Sequence, residues 1–208
     1  MNIRRSWITA LAVAPLLALA LVSGGAVPAA AAVPASGHVT CPIKDGTGIL
    51  SPGLTSAGTG AGTVKINFSG AFVTNNCTSA VTLPPGDQVT GGTFIGNGWY
   101  NGAPADSCAN FDGVDVVGQV TVIINWRTTG TPIAPTTIVY KNNPGTVHGS
   151  PFDTIALNAP PGTAVKSGSF SSAPTPYLTQ LKTNLVGPTC PSGPPLATFV
   201  IVGGKVKV

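Results

Sequence analysis

Glutamate is absent from this sequence, and charged residues of any kind make up only 8% of its 208 positions. The lysines are scattered singly along the chain, so no basic patch that could bind a nucleic acid is predicted. Charged helix formers are scarce, whereas glycine, proline, threonine and valine are abundant. This composition favours short strands joined by turns. Recurrent alternating runs of Val, Ile and Phe argue against disorder.

Motifs of the common enzyme classes are also missing. The chain has no G-x-S-x-G, no H-E-x-x-H, and no glycine-rich phosphate loop placed between a strand and a helix. His38 and His148 are isolated, and the closest aspartates, Asp112 and Asp115, lie in a D-G turn. Calcium at these two aspartates and Asp106 fits no known loop spacing. The sequence therefore predicts no enzyme, no metal and no cofactor, and an unrecognised aspartate-based active site is an alternative.

The first 32 residues have the pattern of an export signal. Arg4 and Arg5 give a basic start, Ile8 to Val22 is apolar, and small residues around Ala29 to Ala32 offer a cleavage site. Glycine and proline interrupt the apolar run, which argues against a retained membrane span. Both the general secretory and the twin-arginine routes stay open.

We expect cleavage near Ala32 and a mature protein of residues 33–208 that forms a single domain. It contains eight basic residues (seven lysines and Arg127) and six aspartates, so its net charge is +2. The expected location is extracellular or associated with the cell envelope, with no membrane span after signal removal.

Four cysteines follow the predicted cleavage site, and no two of them form a C-x-x-C pair. Zinc and thioredoxin-like chemistry are therefore not indicated. An even number of cysteines in an exported chain predicts two disulfides. Of the three possible connectivities we favour Cys41–Cys77 with Cys108–Cys190, because Cys77 closes the strand nearest to Cys41 and Cys190 just precedes the last strand.

Alternating side chains predict the strands. The clearest run, Gln119 to Arg127, reads Q-V-T-V-I-I-N-W-R, and Thr63 to Val73 alternates in the same way. Further strands are predicted at 80–83, 88–95, 114–117, 136–141, 153–158, 163–170 and 197–208. The predicted fold is all-β, a single β-sandwich or flattened β-barrel of about ten strands.

Three local expectations accompany this fold. The segments Ala80 to Leu83 and Gln88 to Ile95 are predicted to pair as a hairpin around a P-P-G-D turn. Leucines spaced three and four apart in Tyr177 to Val186 indicate one helical turn. Lys205 and Lys207 alternate with valines, which is typical of a terminal strand protected against edge-to-edge aggregation.

A repeated motif, P-P-G-x-x-V-x-x-G-[TS]-F, occurs at Pro84 to Phe94 and again at Pro160 to Phe170. One hypothesis is that the domain contains two equivalent strand–turn–strand units derived from a duplication. The alternative is a chance match in a chain rich in Pro, Gly and Thr. Different backbone geometries in the two copies would argue against duplication.

The overall pattern resembles a family of small secreted actinobacterial proteins of unknown function. The resemblance lies in V-T-C at Val39–Cys41, N-C-T at Asn76–Thr78, and a cysteine preceding the V-x-V-x-x-N-W strand. It continues in V-x-x-G-[TS]-F and in a last cysteine before a Val-rich C-terminal strand. The resemblance implies an all-β domain with two local disulfides and supplies no catalytic residues.

The best candidate binding site in the sequence is a predicted loop containing Trp99, Tyr100 and Asn101. Exposed aromatic rings can stack on sugar rings while amide side chains hydrogen-bond to hydroxyls. The alternative is that both rings fold back over one end of the core. The predicted function is a non-catalytic structural or interaction protein, whose expected partners are an extracellular polysaccharide or another envelope protein.

Overall fold

A computed structural model describes residues 32–101, 105–108, 118–141, 146–148, 154–159, 165–171, 177–184 and 195–208. Its elements are eleven β-strands, which confirms the all-β prediction. The strands are β1 Ser36–Leu54, β2 Thr63–Phe72, β3 Thr78–Thr82, β4 Val89–Asn101, β5 Gly118–Thr128, β6 Thr136–Lys141, β7 Thr146–His148, β8 Thr154–Ala159, β9 Val165–Ser167, β10 Tyr177–Thr183 and β11 Leu196–Lys207.

All eleven strands belong to one sheet, in the order β7-β8-β10-β11-β1-β2-β4-β5-β6-β9, and β3 pairs with β1. Every pair of neighbouring strands is antiparallel. The sheet curls into a half-barrel. Twist accumulates across so many strands, and curling allows one face to enclose a core. The described strands thus form one curved sheet, where the sequence predicted a sandwich or flattened barrel.

The curl brings β6 towards β10, although five strands lie between them in the order of pairing. The hydroxyl groups of Tyr140 and Thr179 lie 2.9 Å apart, and both residues are fully buried. A buried hydroxyl pair satisfies both polar groups without water. This contact therefore joins two distant parts of the sheet across the core.

A row of aromatic side chains fills the core between β2 and the turn after β9. Ring centroids are 6.3 Å apart for Phe68 and Phe94, and 5.4 Å for Phe72 and Phe94. Trp126 stacks on Phe72 at 5.9 Å and meets Phe170 edge-on at 5.2 Å. The indole N–H of Trp126 donates to the Thr136 hydroxyl at 2.8 Å, so the polar atom of this ring is also satisfied.

The residues just before β1 connect this central strand to the β5–β6 loop and to the turn after β9. Val33 forms a parallel bridge with Ile133. The amide of Phe170 donates to the carbonyl of Ala35 at 2.6 Å, and the amide of Ala35 donates to Ser169 Oγ at 3.0 Å. Within the described ranges, backbone pairing therefore begins at Val33, the residue that follows the expected cleavage site.

The strand predicted from Gln119 to Arg127 is confirmed as the body of β5. Val120, Val122 and Ile124 are buried, while Asn125 is exposed. Two of the strand's other outward residues, at 121 and 123, are half-buried, as expected for a second face that is partly covered.

Two local predictions are wrong. The segment predicted to contain a helical turn forms β10, in which Tyr177, Thr179 and Leu181 are all fully buried with the period of two of a strand. Pairing with β8 and β11 on both sides overrides the leucine spacing. The C-terminal strand β11 lies between β10 and β1, so Lys205 and Lys207 do not protect an edge.

The predicted hairpin between the segments flanking the P-P-G-D turn is also wrong. Strand β3 pairs with β1, whereas β4 pairs with β2 and β5. The two copies of the repeated motif also differ. Phe94 lies within the extended strand β4, but Phe170 follows β9 in a turn with a φ of 65°. The duplication hypothesis fails this comparison, although both phenylalanines are fully buried.

The predicted disulfide between Cys41 and Cys77 is confirmed, with Cα atoms 4.2 Å apart. It joins β1 to the residue before β3, and Cys41 is fully buried. Cys108 is buried as well. Cys190 lies outside the described residues, so the Cys108–Cys190 bridge stays a prediction.

Candidate functional site

The predicted Trp99-Tyr100-Asn101 loop is a strand, since all three residues lie in β4. Side chains alternate across a strand, so Tyr100 points to the opposite face from Trp99 and Asn101. Trp99 is 40% exposed and Tyr100 only 5%. The two aromatic rings therefore form no common platform, and Trp99 belongs to a different surface from the one predicted.

That surface is the outward side of four neighbouring strands, β11, β1, β2 and β4, and we call it the open face. Cross-strand pairing arranges its side chains in rows. The two central rows are Thr198, Ile49, Asn67, Asn97 and Val200, Thr47, Ser69, Ile95, in strand order. All eight residues are exposed. The β5 residues that continue these two rows, Thr121 and Ile123, are half-buried, so the two exposed rows end at β4.

A trough runs along the open face above β2. It consists of two adjoining depressions of about 490 Å³ and 270 Å³, which share Thr47, Ser69 and Ile95. The small side chains of Ser69 and Ala71 on β2 lie between larger ones on β1 and β4, and this difference in size creates the trough. Its remaining lining residues are Asp45, Gly46, Gly48, Ile49, Asn67, Phe68, Gly70, Thr93, Phe94 and Asn97.

The centre of the trough carries no charge. The two central rows contain only hydroxyl, amide and aliphatic side chains. At one end Asp45 is paired with Lys44, whose Nζ lies 3.5 Å from the carboxylate. Beyond the other end of the trough, Lys65 stands opposite Trp99 in the β2–β4 pairing. Hydroxyls and amides can both donate and accept hydrogen bonds, so the floor of the trough suits a neutral polar ligand.

Apolar groups flank that polar floor. Ile49 is 53% exposed on the β1 side, and Ile95 is 42% exposed on the β4 side. Trp99 lies on the same face of β4, four residues beyond Ile95, and adds an exposed indole. The arrangement provides hydrogen-bonding groups in the middle and apolar contact at the sides, as in many ligand sites with a few placed polar groups.

A separate buried polar group lies inside the sheet, near the end of β4. Asp106 is fully buried, and its Oδ2 accepts hydrogen bonds from the amide (2.7 Å) and the hydroxyl of Thr59. These bonds hold the pKa of Asp106 below its usual value, although burial opposes them. Burial, and then the charge of Asp106, raises the pKa of Tyr100. This carboxylate anchors the loop between β1 and β2.

An Asp106→Asn variant should therefore lose stability most at neutral pH. A carboxyl group with a lowered folded pKa stabilises the fold above its unfolded pKa of about 4, and this contribution disappears as the pH falls further. Thermal midpoints of the variant and the wild type, compared at pH 7 and pH 3, should converge at the lower pH. A gap that widens on acidification would contradict this assignment.

The remaining titratable residues do not converge among the residues that the structure describes. No group of three or more His, Cys, Asp and Glu side chains there could hold a metal ion. Asp87 accepts a hydrogen bond from the amide of Thr131 at 2.8 Å, which links the β3–β4 loop to the β5–β6 loop. Three of the aspartates lie outside the described residues: Asp112, Asp115 and Asp153. The calcium alternative, which needs Asp112 and Asp115 together with Asp106, therefore also lies outside them.

Comparison with known proteins found no match among family models, curated proteins or solved structures. Within the described part of the chain, no helix has the length and apolar character needed to cross a membrane.

Sequence reasoning missed the trough residues, although part of the signal was present. The alternation in Thr63 to Val73 places Lys65, Asn67 and Ser69 on the outward face of one strand. No local pattern indicated that Thr47 and Ile95 would lie on either side of them.

Proposed function

We propose that this protein is exported and acts, without catalysis, as an interaction protein of the extracellular space or cell envelope. The export-signal pattern of residues 1–32 and the Cys41–Cys77 disulfide support the location, since disulfides persist in oxidising compartments. Removal of the signal near Ala32 and a second bridge between Cys108 and Cys190 form part of the proposal.

The observation that carries the proposal is the open face. Its two central rows present eight exposed, uncharged side chains on strands that are hydrogen-bonded on both sides. Strands held in this way form a rigid support, which reduces the entropy cost of binding. A surface with a trough on such a support suits binding of a partner better than it suits chemistry.

The proposal changes the role of the residues predicted from the sequence. Trp99 and Asn101 can contribute from the outward face of β4, whereas Tyr100 is buried beneath it. Of the two expected classes of partner, a polysaccharide and another envelope protein, both could reach the open face. No observation in the described residues favours the aspartate-based enzyme.

The same substitution, serine to lysine, at two different positions tests this proposal. Ser69→Lys introduces a charge into the floor of the trough, and Ser79→Lys introduces it on β3, at an exposed position away from the open face. The full chain is expressed in the cells that produce it, and its amount is measured in the medium and on sedimented envelope material. We expect an exported protein whose envelope association falls at least tenfold in Ser69→Lys only.

Equal association of the two variants, with unchanged melting temperatures, would show that the open face is not the binding surface. Retention of the protein inside the cells with an uncleaved N-terminus would contradict export.

A further inference from the structure

The trough favours one class of ligand, and we propose that it binds a neutral, extended polysaccharide chain of the β-linked type, aligned with β2. This inference rests on the proposed function, because it assumes that the open face is the binding surface. It adds the chemical class and the direction of the ligand.

The lack of positive charge in the central rows argues against an acidic polymer as the ligand. Nucleic acids and acidic polysaccharides need several lysines or arginines that follow the ligand backbone. The central rows contain none, Lys65 stands beyond one end, and Lys44 is already paired with Asp45. A neutral ligand is therefore the better match.

The mixed pattern of the trough argues against a lipid surface. Membrane binding requires a continuous apolar face, but Asn67, Ser69 and Thr47 separate Ile49 from Ile95. An added peptide strand is also excluded at this position, since β1, β2 and β4 are each paired on both sides and have no free edge. Recognition here must use side chains alone.

Sugar rings have the matching chemistry. Each ring presents C–H groups on its faces and hydroxyls on its edges. In the trough, the hydroxyl of Ser69 and the amide of Asn67 can bond to hydroxyls, while Ile49 and Ile95 contact the C–H groups. The indole of Trp99 offers a stacking surface at one end of the same face.

The shape of the trough selects among neutral polysaccharides. It extends along β2 between the positions of Thr93 and Asn97 on β4, a distance of about 14 Å at a rise of ~3.4 Å per residue. A depression that follows one extended strand matches chains that are themselves extended and flat, such as β-1,4-linked glucans and chitin. A coiled α-linked glucan matches it poorly.

The test measures binding of the full chain to cellohexaose and chitohexaose by calorimetry, with maltohexaose and polygalacturonate as the α-linked and acidic comparisons. We expect binding to at least one of the β-linked oligosaccharides and at least tenfold weaker binding to the other two probes. Ile95→Ser and Trp99→Ala should each weaken binding at least tenfold.

A matched control is Val33→Ser, which removes an aliphatic side chain of similar exposure (45%) before β1, outside the open face and the trough. It should bind as the wild type does. Equal losses in Ile95→Ser and Val33→Ser would contradict the trough as the binding position.

Failure of this inference can be told apart from failure of the proposed function. If no β-linked oligosaccharide binds but Ser69→Lys still abolishes envelope association, the open face is the binding surface and the ligand class is wrong, with a protein partner as the remaining candidate. If neither result is obtained, both proposals fail.

Discussion

Replacement of Phe94 by alanine is expected to destabilise the protein by about 3–5 kcal/mol, the usual cost of removing a large buried aromatic side chain. Phe94 is fully buried, and its ring lies between those of Phe68 and Phe72 at centroid distances of 6.3 Å and 5.4 Å. Its removal leaves a cavity next to β2 and β4. These strands cannot move to fill it, because each is paired with a neighbour on both sides. Urea-induced unfolding, followed by fluorescence, measures the change.

Trp99→Ala is the control for this experiment, because it removes an aromatic ring from the outward face of the same strand. With 40% of its surface exposed, Trp99 should contribute far less, on the order of 1 kcal/mol. A similar loss in both variants, or a loss below 1 kcal/mol for Phe94→Ala, would show that the aromatic row is not the core.

Removal of the Cys41–Cys77 bridge by a double change to alanine should have an effect of comparable size. The bridge closes a loop with a sequence separation of 36 residues. On the loop-entropy model, a loop of this length corresponds to about 4 kcal/mol of stabilisation at 25 °C. We therefore expect a clear fall in the midpoint of thermal unfolding under oxidising conditions.

The double variant is more informative than a reducing agent, which would also break the predicted bridge to Cys190. Its effect should be largest on β3, because β1 pairs with β3 beside the bridge. Hydrogen exchange of residues 78–82 measures this directly. Unchanged exchange there, together with unchanged stability, would mean that the strand pairing alone holds β3 in place.

The candidate site was only partly predictable. The outward position of Asn67 follows from alternation, whereas the sequence left open whether Trp99 and Tyr100 are exposed or folded back, and the structure exposes only Trp99. The prediction of a loop around Trp99 was wrong. Glycine and asparagine are typical of turns, yet here Gly96 and Gly98 lie within β4. An aromatic ring explains one of these glycines. Phe68 occupies the space beside Gly96, where a Cβ atom would overlap its ring.

The sequence by itself determined the all-β class and the period-two strands such as Gln119 to Arg127, and it favoured, without deciding, the pairing of Cys41 with Cys77. These properties are local, or depend on residue type, and the side-chain alternation of a strand is visible without knowledge of its neighbours. The tertiary structure alone decided that β3 pairs with β1, that β11 lies inside the sheet, and that a trough forms above β2. Strand order depends on contacts between residues far apart in sequence, and the same alternating pattern is compatible with many neighbours.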